Sequence, residues 1–98
     1  MTYNFRFRPQ AATELRDALA WYYAANPALE PQFFAAVEEL LAAICQTPLA
    51  YLRYRGEIRR GLVNKFPYRI LFRIIDDEII VIAVLHTRRH PARGISRH

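Results

Sequence analysis

Tyr3, Phe5 and Phe7 alternate with Asn4, Arg6 and Arg8, and a period of two places the aromatic rings on one face of a half-buried strand. Pro9 halts that rhythm and suits the first turn of a helix. Over residues 11–25 the period lengthens: Leu15, Ala18, Leu19 and Tyr22 recur at three- and four-residue spacing, which makes one helical stripe. Asn26-Pro27 ends this helix, because a residue before proline is pushed out of the helical region. A second helix is predicted over residues 29–46, with the stripe Leu29, Phe33, Val37, Leu40, Leu41 and Ile44 and with Glu30, Glu38 and Glu39 mostly off it. Thr47-Pro48 terminates it, and the short break between the helices predicts an antiparallel αα-hairpin.

Beyond the hairpin the rhythm returns to two. Residues 48–56 read as an irregular link carrying Tyr51, Leu52 and Tyr54, and residues 57–63 as a strand. Phe66-Pro67 interrupts the chain before a strand over residues 68–75. Its Tyr68, Ile70, Phe72 and Ile74 share one face, while Arg69, Leu71, Arg73 and Ile75 share the other. Asp76-Asp77 is a tight turn. The unbroken aliphatic run within residues 78–86 predicts a central strand covered on both faces. Neither internal repeats nor low-complexity segments occur. The expected fold class is α+β, in the order β-α-α-β-β-β, with a helical hairpin packed on one face of a small, largely antiparallel sheet.

Composition narrows the class without changing this picture. Ninety-eight residues allow one domain, taken as 1–98, and the 53% hydrophobic content excludes disorder. The single Cys45 rules out an internal disulfide and suits a reducing compartment, where it reads as a small core or interface residue. The first residues lack the apolar run of a signal peptide, and the aliphatic run of residues 79–85 falls far short of the ~20 residues of a membrane span. A cytoplasmic protein without membrane contact is therefore expected.

The formal net charge of +5 is unevenly placed: residues 1–52 sum to −2 and residues 53–98 to +7. Ten of the eleven cations in the basic half are arginine, whose planar fork holds phosphates and carboxylates bidentately. Strand positions Arg59, Arg60, Arg69 and Arg73, with the turn after His86, are expected to gather guanidinium groups at one side of the sheet, a surface suited to phosphates or an acidic peptide. No phosphate-binding glycine loop, nucleophile triad or cysteine pair is present, and the chain has three glycines in all. His86, His90 and His98 have no supporting carboxylate cluster, so neither a metal nor a cofactor is expected.

The residues running from Ile58-Arg59-Arg60-Gly61-Leu62 through Phe66-Pro67-Tyr68-Arg69-Ile70 to His86-Thr87-Arg88-Arg89-His90-Pro91 resemble the RelE/ParE toxin superfamily. Its members look like R-R-x-x-L-x-x-F-P-Y-x-I-x-Y, an aliphatic strand, and H-x-x-R-x-P. Glu14-Leu15, Ala20-Trp21-Tyr22 and residues 33–41 are similar to the family's helical hairpin. After Pro91 comes Ala92-Arg93-Gly94-Ile95, where many relatives carry a tryptophan. The resemblance implies a ParE-like toxin of a type II toxin–antitoxin system, in a hetero-oligomer with a cognate antitoxin. It implies a toxin that binds and poisons DNA gyrase without bond-breaking chemistry of its own. The alternative is a RelE-like ribosome-dependent endoribonuclease acting on mRNA, in which Arg69 clamps the phosphate and His86 transfers protons. The lysine-rich patch and late tyrosine of many such nucleases are missing, Tyr68 being the last tyrosine. Arg59, Arg60, Arg73, Arg88, Arg89 and Arg93 are expected to meet the target or the antitoxin. The latter is pictured as an acidic or amphipathic segment over the basic half and the helical hairpin.

Overall fold

Pro9 opens the first helix at the one place where a missing N–H is no loss, and the Arg8 backbone before it is extended. The computed structural model describes residues 2–88. They form β1 (Asn4–Phe7), α1 (Pro9–Ala25), α2 (Leu29–Gln46), a single 3-10 turn (Pro48–Ala50), β2 (Arg53–Arg55), β3 (Ile58–Leu62), β4 (Tyr68–Ile75) and β5 (Glu78–His86). Asn26 leaves the helical region ahead of Pro27, and its Oδ1 accepts the Ala28 N–H at 3.1 Å, an Asx turn that reverses the chain into α2. The second helix and the last two strands follow the boundaries that the sequence predicts.

The five strands lie in the order β1-β5-β4-β3-β2. β1 runs parallel to β5, and the other three pairings are antiparallel, so the sheet is mixed and largely antiparallel as expected. One element departs from the sequence reading. The stretch taken as an irregular link contributes β2, an edge strand of three residues, too short to display an alternating pattern of its own. Gly56 and Glu57 join β2 to β3, and only Gly56 has a positive φ (53°), the pattern of a two-residue hairpin turn with glycine first.

The helical hairpin covers one face of the sheet. Tyr22 and Phe33 meet Phe66 and Tyr68 with ring centroids 4.9–6.0 Å apart, mostly edge to face, which fixes the hairpin against β4 and the loop before it. Gly61 of β3 lies under α2 and Tyr51: a Cβ there would come within 3.1 Å of Leu40 and 3.3 Å of Tyr51. Behind these residues Ile70, Phe72, Ile79, Val81 and Val84 complete the core.

The aliphatic run of β5 holds a bulge. Phe72 pairs with Val81 and Leu71 with Ala83, so Ile82 is the extra residue. Ile82, Ala83 and Leu85 therefore belong, with Leu71 and Ile58, to a second cluster on the face away from the helices, whereas Val81 and Val84 remain with the helix-side core. The expectation of a central strand buried on both faces holds.

Candidate functional site

The register of β3 on β4 decides which arginines share a surface. Arg60 pairs with Leu71 and Leu62 with Arg69, while across the other edge of β4 Arg69 pairs with Leu85 and Arg73 with Ile80. Cross-strand partners point the same way, so Arg60, Arg69 and Arg73 stand together on the outer face, around buried Leu71. Arg59 pairs with Phe72 and stands on the opposite, helix-side face. There its Nη1 donates to the Tyr51 carbonyl at 2.7 Å, which holds the segment before β2 against the sheet. The expected grouping of four strand arginines on one side thus becomes three, because adjacent residues of one strand cannot face the same way without a bulge.

On the outer face the Arg69 guanidinium carbon lies 5.8 Å from the centroid of the Tyr54 ring, a cation–π contact supplied by the unforeseen β2. Among the described residues, the Nε atoms of Arg69 and Arg73 are buried without a hydrogen-bond partner. Leu52 and Leu62 are exposed, and the Leu52 carbonyl accepts the Arg60 N–H at 3.1 Å. The surface is therefore cationic and apolar at once, the composition of a macromolecular interface rather than of a small-molecule pocket.

The two sequence motifs of the C-terminal half meet in space. Thr87 donates its backbone N–H to the Pro67 carbonyl at 2.8 Å, and His86 pairs with Tyr68, the two rings lying edge to face at 5.2 Å. His86 Nδ1 accepts the Arg88 N–H at 3.1 Å, an arrangement that fits the neutral tautomer protonated at Nε2. Tyr68 belongs to the helix-side core, so His86 shares that side, whereas Arg69 projects from the outer face. Arg88 is exposed in the turn after β5. Arg89 and Arg93 lie outside the described residues.

One supporting residue escapes sequence reasoning. β1 covers β5 only as far as Val81, and beyond it Glu14 of α1 accepts the Val84 N–H at 2.9 Å, in place of a strand carbonyl. The sequence marks Glu14 as part of the Glu14-Leu15 pair similar to the family's hairpin, but gives no sign that it reaches β5. Cys45 is buried in the helix-side core, and desolvation there pushes its thiol above the ordinary range. Among the described residues no group of three His, Cys, Asp or Glu side chains is placed to hold a metal ion, and no helix is long and apolar enough to cross a membrane.

Two helices on one face of this mixed sheet define the class: the fold is that of the RelE and ParE toxins. It is shared with a chain of the chromosomal ParDE toxin–antitoxin system of P. aeruginosa, at a TM-score of 0.73 and 16% identity over 89% of this chain and 98% of that one. A double-arginine variant of the E. coli toxin RelE in the free state matches at a TM-score of 0.67 and 19% identity, over 97% and 90% of the two chains. A chain of the RelBE2 toxin–antitoxin complex of Mycobacterium tuberculosis matches at 0.64 and 24%, over 88% and 99%. No curated protein sequence is significantly similar. The chain itself belongs to the family described as ParE toxin of type II toxin–antitoxin system, parDE, which it matches over residues 5–91. It is a type II toxin of the ParE/RelE kind.

Proposed function

We propose that this toxin acts on DNA gyrase by binding, without bond-breaking chemistry of its own, in the cytoplasm and under the control of a cognate antitoxin. The observation that carries this reading is the separation of Arg69 and His86 onto opposite faces of the sheet. Cleavage of RNA without a metal needs a phosphate clamp and a proton-transfer group converging on one phosphodiester. Here the guanidinium packs against Tyr54 on the outer face, while the imidazole packs against Tyr68 on the other side. The membership in the ParE family supports the same choice. The antitoxin is supported by two of the solved relatives, which are toxin–antitoxin complexes.

Purified toxin is expected to inhibit supercoiling by gyrase and to accumulate cleaved DNA; full supercoiling activity at excess toxin would overturn the proposal. The competing reading, ribosome-dependent mRNA cleavage, is favoured by one observation, the half-buried Tyr54 beside Arg69, since an aromatic ring and a cation together suit a nucleobase and its phosphate. Primer extension on translating ribosomes decides it: cleavage lost in Arg69→Ala and His86→Ala would establish the nuclease, and intact message would exclude it.

A further inference from the structure

At the end of the outer face remote from His86, a hollow of about 320 Å³ is lined by Arg55, Gly56, Glu57, Ile58 and Arg73. Its cations are underused. The Arg73 Nε is buried there without a hydrogen-bond partner, a condition that native structures avoid because a desolvated donor is costly. The one carboxylate of the hollow, Glu57, lies 3.9 Å from Arg53 outside the lining, so within the hollow two arginines stand against a single acid that is already engaged. The hairpin turn at Gly56 closes one wall and buried Ile58 supplies an apolar floor.

We propose that this hollow seats a glutamate or aspartate side chain of a partner protein, with the fork of Arg73 holding the carboxylate and Arg55 closing over it. The two terminal nitrogens of a guanidinium form a parallel pair of donors that a carboxylate accepts, so the Arg73 fork can hold the ligand while its Nε stays buried. A protein side chain fits better than a nucleic acid. The hollow has an apolar floor, and none of its lining residues is aromatic, so no ring is present on which a base would stack. The antitoxin of the proposed function is the natural bearer of such an acid, and in that respect the inference rests on that reading. The hollow nevertheless has its own test.

The full chain is titrated with a fluorescent Glu-Leu-Glu-Leu-Glu peptide, with its Gln-for-Glu counterpart and with a short oligothymidylate at matched ionic strength. The expected result is binding of the acidic peptide alone. Arg73→Gln is expected to weaken it by about tenfold and Arg55→Gln by about threefold, with Arg16→Gln on α1 unchanged, since a charge-assisted bidentate pair is roughly twice as strong as a neutral one. Arg73→Lys keeps the charge without the fork and is expected to fall close to Arg73→Gln; it also serves if the glutamine variant does not fold. Undiminished peptide binding by both Arg73 variants overturns the proposal, as does Arg73-dependent binding of the oligothymidylate in preference to the peptide. A toxin rescued by its antitoxin while the Arg73 variants bind the peptide normally overturns this anchor alone and leaves the toxin reading intact.

Discussion

Glu14 shows how a single side chain substitutes for a strand. The parallel partner of β5 stops at Val81, and the N–H of Val84 would face no carbonyl if Glu14 did not accept it at 2.9 Å. Glu14→Ala is expected to destabilise the fold by about 1–2 kcal/mol, the cost of stranding a partly buried donor, while Glu14→Gln retains an acceptor and recovers most of the loss in urea denaturation. Cys45 gives a second prediction at this scale. Burial holds its thiol in the neutral form, so its reaction with a disulfide reagent at neutral pH is expected to track unfolding rather than exposure in the native state. The sign for stability follows: the folded chain resists ionisation and the unfolded chain does not. The contribution is therefore full below the ordinary thiol range and is lost as pH rises through and above it.

Among the elements, β5 carries the largest consequence. Its bulge lets Val81 and Val84 face the helices while Ile82 and Ala83 both face outward. Deletion of Ile82, the extra residue, is expected to remove the bulge and leave every later residue of the strand on its present face with its present partner. Leu85 then stays on the outer face and His86 beside Tyr68, so cooperative thermal unfolding is expected to persist at a lowered Tm, because the outer cluster loses the Ile82 side chain. The helical hairpin depends instead on packing. Phe33, fully buried among Tyr22, Phe66 and Tyr68, is expected to cost about 3–5 kcal/mol when truncated to alanine, read as a loss of equilibrium stability with the sheet register intact. The helices and the last two strands were legible in the sequence because their periodic patterns are long and end at Pro27, Pro48 and the Asp76-Asp77 turn. β2 was not, since three residues beside a hairpin glycine carry no period, and its existence depends on pairing with β3.

Across the whole molecule, the division of charge acquires a location. The basic half supplies β2 to β5, and Arg55, Arg60, Arg69 and Arg73 share the face that the hairpin leaves uncovered. Such a concentration of like charge speeds encounter with an acidic partner. The association rate with an antitoxin is accordingly expected to fall by an order of magnitude or more between low and physiological salt, measured by stopped flow, with the dissociation rate changing far less. The sequence by itself determined the α+β order, the hairpin, the buried central strand and the family, because periodicity, proline punctuation and short motifs are local properties of the chain. Which arginines act together was decided only by the tertiary structure. Strand register sent Arg59 to one face and Arg60, Arg69 and Arg73 to the other, and it parted Arg69 from His86. Register is set by pairing between residues far apart in sequence, and a shift of one position would have reversed each of those assignments.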